Sequence, residues 1–130
     1  MGAVPGSLTL LVVDDDPAIR KLLEVTFEME GYRVILAENG PAGLALAQSE
    51  RPDVVLLDVM MPGMNGLEVA VELRSQQSTA AVPIVALTAK VQQDDREAGQ
   101  RAGVDEYVTK PFDPFELAET VARLVHRDER

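Results

Sequence analysis

The chain has 130 residues, with 22 acidic and 12 basic side chains and therefore a net charge of −10 at pH 7. A chain of this length forms one domain that buries about two thirds of its unfolded surface. The acidic excess excludes the usual way of binding a phosphate backbone, so we expect no direct contact with nucleic acid.

Cysteine is absent, which excludes disulfides and leaves oxygen atoms, or the single His126, as ligands for any metal. No apolar run is long enough to span a membrane, and no signal peptide precedes the first strand-like segment. We therefore expect a cytoplasmic protein. Residues 1–7 are predicted to be a flexible leader, residues 8–126 the folded domain, and residues 127–130 a C-terminal tail.

Five short apolar segments rich in β-branched residues predict five buried strands. They cover residues 8–13, 33–37, 53–57, 83–87 and 105–108. Helical periodicity and capping residues predict a helix after each strand. These helices are expected to begin after Asp16, at Gly40, after Asn65, near Gln92 and after Asp113. The alternation predicts an α/β domain whose parallel sheet is covered by helices on both faces.

Apolar spacing also predicts which side of each helix is buried. In the first helix, the inward positions are Ile19, Leu22, Leu23 and Thr26. In the last helix we expect an apolar stripe that begins with Phe115. Residues 92–103 carry no large apolar side chain, so only Ala98 and Ala102 are expected to face inward. Packing therefore holds this fourth helix weakly, and it is a reasonable moving element for a switch.

Polar side chains stand at the carboxyl ends of four predicted strands. Asp14 and Asp15 follow the first strand, Asp58 the third, Thr88 the fourth and Lys110 the fifth. In open α/β sheets the ligand crevice lies at this edge, so we expect the five side chains to converge. That convergence is more specific than any one of these residues alone.

Three neighbouring carboxylates repel one another, and a bound cation is the simplest remedy. Ligation by oxygen alone suits Mg²⁺ or Mn²⁺. The alternative is a solvated acidic loop, which leaves Asp58 unexplained. Asp16 has another role, because an aspartate before Pro17 is a typical helix N-cap.

Thr88 and Lys110 supply a hydroxyl and a cation opposite the acidic residues. Such a pair can bind an anionic group between them. Phosphoryl transfer needs this combination, in which a metal and a cation neutralise the phosphoryl oxygens and a carboxylate acts as the nucleophile.

Three other candidates have structural explanations. His126 lies near the end of the last helix, where a solvated histidine complements the helix dipole, so we do not expect it to be a metal ligand. Met60 and Met64, in the loop after the third strand, are expected to pack beneath that loop.

Four segments resemble the signatures of response-regulator receiver domains of the chemotaxis-regulator type, which act in two-component phosphorelays. They are residues 11–17 (LVVDDDP), 57–66 (LDVMMPGMNG), 87–89 (LTA) and 107–112 (YVTKPF). The resemblance spans residues 8–125 with order and spacing intact. It implies a flavodoxin-like, doubly wound sheet of five parallel strands in the order 2-1-3-4-5, with five helices.

The resemblance also implies roles at the acidic end of the sheet. Asp58 would be the phosphoacceptor. Asp15, Asp58 and the carbonyl of Met60 would ligate Mg²⁺, and Asp14 would reach the metal through water. Asn65 stands where many members of the family have aspartate, and asparagine caps a helix equally well.

Thr88 and Lys110 would bind the phosphoryl oxygens, and Tyr107 would be the aromatic residue that moves with Thr88 in the switch. The bond between Lys110 and Pro111 would be cis, as in other receiver domains. Met60 and Lys90, two residues after Asp58 and Thr88, occupy positions that tune the lifetime of the aspartyl phosphate in the family.

The function implied is that of a signalling switch rather than a conventional enzyme. The phosphoryl donor would be a sensor histidine kinase or a histidine phosphotransfer protein. The chain would catalyse only its own phosphorylation and dephosphorylation. Phosphorylation would alter the face formed by the fourth helix, fifth strand and fifth helix, which would act on a downstream effector or form a homodimer.

Two alternatives use the same residues. Asp14 and Asp16 form the D-x-D pattern of haloacid-dehalogenase-like phosphatases, with a threonine and a lysine following in the right order. That interpretation leaves Asp58 without a role and ignores the capping role of Asp16. The other alternative is a pseudo-receiver that binds partners without being phosphorylated, and the complete set of acidic residues argues against it.

Overall fold

A five-stranded parallel sheet with helices on both faces forms the core of the computed structural model, which describes residues 7–89 and 93–127. The elements are β1 (Thr9–Val13), α1 (Pro17–Met29), β2 (Arg33–Ala37), α2 (Gly40–Glu50), β3 (Val54–Asp58), α3 (Gly66–Ser75), β4 (Ile84–Thr88), α4 (Gln93–Ala102), β5 (Glu106–Thr109) and α5 (Pro114–Arg127). The strand order is β2-β1-β3-β4-β5, which confirms the expected topology. Within the described ranges, no helix combines the length and apolar character needed to cross a bilayer.

The three central strands are buried throughout, as parallel strands covered on both faces must be. Their side chains alternate between two cores. One core lies between the sheet and helices α1 and α5, which contribute Leu23, Phe27, Leu117 and Val121. The other lies beneath α2, α3 and α4, where Ala47, Val69, Leu73 and Ala102 are buried. The two cores fix the sheet as a rigid base for its polar edges.

Side-chain caps determine where the helices begin. Asp16 accepts a hydrogen bond from the backbone of α1, and Asn65 forms a reciprocal capping box with Glu68 in α3. Asp113 accepts the backbone N–H of Phe115 at 2.8 Å. These three predicted caps are confirmed. Asn39 caps α2 in the same way, a contact that the sequence interpretation did not include.

Two predicted apolar faces need correction. Leu22 is 40% exposed, because the buried side of α1 runs through Leu23 and Phe27, one helical turn apart. Phe115 is 77% exposed at the start of α5, and Leu124 is buried instead. Phe115 precedes the first buried residue of that helix by two positions, which places it on roughly the opposite side of the helix.

Arg74, in the last turn of α3, binds groups from two separate loops. Its Nε and Nη2 donate to the carbonyl of Gly103 at 3.0 and 2.7 Å. Its Nη1 donates to the carbonyls of Ala80 and Val82 at 3.1 and 2.6 Å, and Nη2 also donates to Asp105 Oδ2 at 3.0 Å. We call these five residues the Arg74 cluster.

The Arg74 cluster lies at the amino ends of β4 and β5. Asp105 Oδ2 accepts the backbone N–H of Ile84 at 2.8 Å, and the N–H of Asp105 donates to the carbonyl of Ile84 at 2.9 Å. Gly103 has a φ of +96°, and a Cβ added there would lie 2.6 Å from the Arg74 side chain. The connection between α4 and β5 is therefore fixed to the end of α3.

Candidate functional site

The polar residues predicted to converge lie at the carboxyl edge of the sheet. Asp14 follows β1, Asp58 ends β3, Thr88 ends β4 and Lys110 follows β5. One carboxylate oxygen each from Asp14, Asp15 and Asp58 lies within 4.8 Å of the other two. We call Asp14, Asp15, Asp58 and Lys110 the acidic cleft.

Asp14 is completely buried and hydrogen-bonded at every polar group. Its Oδ1 accepts the N–H of Asp16 at 2.9 Å, and its Oδ2 lies 3.1 Å from Lys110 Nζ. Its backbone N–H donates to the carbonyl of Ala37 at 3.1 Å, and its own carbonyl accepts from Arg20 Nη1 at 2.8 Å. Protein donors therefore occupy both carboxylate oxygens, which suits the predicted contact with a metal through water.

Asp58 is 4% exposed and lies in an electrostatically unfavourable position. Its Oδ1 accepts the N–H of Met60 at 3.2 Å and lies 3.4 Å from Lys110 Nζ. Burial, followed by the charge of Asp14, raises the pKa of Asp58 to about 6, against an ordinary value of 3.8. A hydrogen bond with Asp15 adds to the rise, while Lys110 and the Met60 N–H oppose it. Without a further cation, the fold therefore disfavours the charged form of this carboxylate.

Lys110 is held between two carboxylates. Burial by itself lowers the pKa of Lys110, but hydrogen bonds and charge from Asp14 and then Asp58 outweigh it, so the pKa is raised. The backbone N–H of Lys110 donates to the carbonyl of Thr88 at 2.7 Å, which joins the ends of β5 and β4. The peptide bond between Lys110 and Pro111 is cis, as expected.

The donor set of the acidic cleft fits a hard divalent cation. Lys110 contacts Asp14 and Asp58, and its single positive charge is set against three carboxylates. Two negative charges therefore remain uncompensated within these four residues when all are ionised. Asp15 is exposed at the mouth of the cleft, where a hydrated ion can approach. Carboxylate oxygens with open positions for water are the arrangement that Mg²⁺ prefers.

The loop after β3 differs from the prediction in one respect. Met60 is 71% exposed and does not pack beneath the loop, because its N–H turns back to Asp58 and its side chain points outward. Met61 is buried instead, and Met64 packs against the core as expected. Lys90, the other predicted tuning position, lies outside the described residues.

The two predicted switch residues lie on neighbouring strands, and one of them contacts α4. Thr88 is buried at the end of β4, and Tyr107 packs on the core beneath α2 to α4. A Cβ added to Gly99 would lie 2.2 Å from the Tyr107 ring, so the ring and the α4 backbone are in direct contact. Ala102 is buried as predicted, and Ala98 is partly buried.

Sequence reasoning missed two residues that contact this region, Gly99 and Arg20. Gly99 carries no side chain for an apolar pattern to detect. Arg20 lies four residues after the N-cap Asp16, and its position in the first turn of α1 was the available signal, since helical side chains lean toward the N-terminus.

Comparisons with known proteins agree on one family. The family model described as the response regulator receiver domain matches residues 10–122. The protein PilH of Pseudomonas aeruginosa is 42% identical over 112 residues, which cover 86% of this chain and 93% of PilH. The phosphate regulon transcriptional regulatory protein PhoB of the same species is 44% identical over 116 residues, or 89% of this chain but 49% of PhoB. The chain thus spans about half the length of such transcriptional regulators.

A solved structure has the same fold. The receiver domain of the sensor histidine kinase PA1611 from Pseudomonas aeruginosa superposes with a TM-score of 0.85 at 34% identity. The match covers 93% of this chain and 99% of that one. That structure has a magnesium ion coordinated in its active-site cleft.

Proposed function

The chain belongs to the response-regulator receiver family, and on that basis we propose that Asp58 accepts a phosphoryl group from a phosphohistidine donor. Receiver domains of this family act as signalling switches rather than as conventional enzymes. The observation that carries the residue assignment is the position of Asp58. It is the carboxylate that ends a central strand, is nearly buried, and lies within 3.4 Å of Lys110 Nζ.

In the proposed reaction, a carboxylate oxygen of Asp58 attacks the phosphorus atom. The new P–O bond forms as the P–N bond to the donor imidazole breaks, and the nitrogen keeps the electron pair of the broken bond. Lys110 offsets the charge on the phosphoryl oxygens, and the hydroxyl of Thr88 donates a hydrogen bond to one of them. Water later attacks the same phosphorus atom, which regenerates Asp58 and releases phosphate.

Asp15, Asp58 and the Met60 carbonyl would hold Mg²⁺, with Asp14 contacting it through water. The metal supplies positive charge that favours ionised Asp58 and neutralises the phosphoryl oxygens. The raised pKa of Asp58 supports this assignment, since the protein alone does not compensate the carboxylate charges. Mn²⁺ has the same ligand preference and can replace Mg²⁺.

The partners follow from the same proposal. The donor is a sensor histidine kinase or a histidine phosphotransfer protein, and the exchange takes place in the cytoplasm. Residues 8–126 form the receiver unit, with the leader and tail outside it. Phosphorylation changes the face of α4, β5 and α5 through Thr88 and Tyr107, and this face acts on an effector or on a second phosphorylated copy.

The two alternative functions receive no support from these observations. Asp16 Oδ1 accepts the N–H of Ala18 at 2.9 Å, so the second aspartate of the phosphatase pattern is occupied as a helix cap. A pseudo-receiver is not phosphorylated, so it does not need all the side chains that phosphoryl transfer requires, and this chain has them.

Phosphoryl incorporation tests the acceptor. We expect the protein incubated with Mg²⁺ and phosphoramidate, a small P–N donor, to gain one phosphoryl group by intact mass spectrometry. Asp58→Ala should gain none. Asp53→Asn, which changes a carboxylate just before the opposite end of β3, should behave like the wild type. Incorporation by Asp58→Ala would contradict the assignment, and a wild-type protein that gains nothing would favour the pseudo-receiver.

A further inference from the structure

The acidic turn at residues 14–16 is held from two sides. On one side, the N–H of Asp14 donates to the carbonyl of Ala37 at the end of β2, at 3.1 Å. On the other side, Arg20 Nη1 donates to the carbonyl of Asp14 at 2.8 Å. That carbonyl belongs to the peptide group that joins Asp14 to Asp15. The arginine therefore fixes the plane of the peptide between the two acidic residues.

Arg20 reaches this carbonyl because of its place in α1. Its N–H donates to the carbonyl of Asp16 at 3.0 Å, in the first backbone hydrogen bond of the helix. Helical side chains lean toward the N-terminus, which directs the guanidinium back over the preceding turn. The side chain is partly buried there.

The plane of this peptide matters most for Asp15. The Asp15 side chain is exposed, and one of its carboxylate oxygens lies within 4.8 Å of an oxygen of Asp14 and of one of Asp58. The backbone at Asp15 sets the direction in which this carboxylate faces the cleft. A rotation of the peptide would move this oxygen relative to Asp58.

We propose that Arg20 is a positioning residue that makes the acidic cleft select Mg²⁺ over Ca²⁺. This inference rests on the proposed function, in which the cleft binds a divalent metal. Mg²⁺ requires near-octahedral geometry with bonds of about 2.0–2.1 Å, whereas Ca²⁺ accepts longer bonds and irregular geometry. A fixed peptide between Asp14 and Asp15 therefore favours Mg²⁺, the ion with the stricter geometric requirement.

The charge of Arg20 has the opposite effect and can be separated from its geometric effect. A positive charge near the cleft opposes the binding of any cation, so its removal alone would tighten Mg²⁺ and Ca²⁺ equally. The two ions carry the same charge, and a charge effect therefore cancels in the ratio of their dissociation constants. Loss of the hydrogen bond to Asp14 changes that ratio, because only Mg²⁺ depends on the exact placement of the oxygens.

The test is titration calorimetry of Mg²⁺ and Ca²⁺ binding to Arg20→Met, with Lys21→Met as the matched control. Lys21 is the next residue, carries the same charge and is highly exposed, with its Nζ 3.6 Å from Glu24. We expect the Mg²⁺ dissociation constant of Arg20→Met to rise about tenfold, as for other groups that orient metal ligands, and that of Ca²⁺ to change less than about twofold. Lys21→Met should keep the wild-type ratio of the Mg²⁺ and Ca²⁺ dissociation constants.

Two further variants test whether the hydrogen bond from residue 20 causes the Mg²⁺ preference. Arg20→Lys keeps a donor on a long side chain and should recover most of the lost Mg²⁺ preference. Arg20→Gln shortens the donor and provides the same comparison if Arg20→Met does not fold, as judged by circular dichroism. An unchanged ratio in folded Arg20→Met or Arg20→Gln, or an equal change of the ratio in Lys21→Met, would overturn the proposal. Failure of the wild-type chain to bind Mg²⁺ would instead overturn the proposed metal site, and the role of Arg20 with it.

Discussion

The acidic cleft and the Arg74 cluster lie at opposite edges of the sheet, and their charges are balanced differently. In the Arg74 cluster one guanidinium faces one carboxylate, and its other partners are backbone carbonyls. In the acidic cleft three carboxylates lie together with one ammonium group, which contacts two of them, Asp14 and Asp58. A balanced polar cluster connects segments of the fold, while an unbalanced one leaves charge available for a ligand.

The difference extends to the backbone around each cluster. Arg74 donates into the two loops that precede β4 and β5, so removing it would leave several partly buried carbonyls without a donor. In the acidic cleft, the raised pKa of Asp58 shows that the native state bears an electrostatic cost. We therefore expect substitutions in the two clusters to change stability in opposite directions.

The largest expected effect is the loss of the Arg74 cluster. Arg74→Met should lower the free energy of unfolding by about 2–4 kcal/mol, because Asp105 and the loop carbonyls lose their shared donor. Urea denaturation measures this change. Arg123→Met, which removes an exposed arginine of α5, should shift stability by less than about 0.5 kcal/mol. A loss for Arg74→Met as small as that of the control would show that the cluster is not structural.

A smaller effect of opposite sign is expected in the acidic cleft. In metal-free buffer at pH 7, Asp58→Asn should raise the free energy of unfolding by roughly 1–3 kcal/mol. The folded pKa of about 6 exceeds the ordinary 3.8, so ionisation costs stability as pH rises through this window, and asparagine avoids that cost. The advantage should shrink as pH falls below 6 and disappear below about pH 3, where both states bind the proton.

The matched variant is Asp105→Asn, which alters the carboxylate of the Arg74 cluster. It should destabilise the protein at pH 7, since it removes the negative partner of the guanidinium. A gain in stability for Asp105→Asn, or a loss for Asp58→Asn without metal, would remove the distinction between the two clusters.

The smallest effect concerns Asp16, which adjoins the acidic cleft in sequence but caps α1. Asp16→Ala should cost about 1 kcal/mol of stability, the usual value for a lost N-cap. The Mg²⁺ dissociation constant, measured by calorimetry, should stay within about twofold of the wild type. A much weaker affinity for Mg²⁺ would place Asp16 among the residues of the cleft.

Much of this arrangement could be predicted from the sequence. Uninterrupted apolar residues in β3 marked a strand buried on both faces, and the parallel order then placed Asp14, Asp58, Thr88 and Lys110 at one edge. The order of the strands came from the family resemblance, because periodicity does not specify which strands are neighbours.

Contacts made through the backbone could not be predicted. The Arg74 cluster uses carbonyls of Ala80, Val82 and Gly103, whose residue types carry no signal for it. Met60 is exposed and its N–H turns back to Asp58, whereas apolar character wrongly indicated burial. For Arg20 the acceptor is also a main-chain oxygen, and the available signal was the position of the arginine in the first turn of α1.

The contact between Gly99 and Tyr107 couples the position of α4 to that of the Tyr107 ring, because the two are packed without space between them. The ring occupies the space that a side chain at Gly99 would need. If the ring rotates away, it leaves a void against α4, and an unfilled void costs about 24 cal/mol for each Å³. The helix must then shift toward the sheet, or another group must enter the space. Ring and helix therefore move together, and close packing transmits the motion.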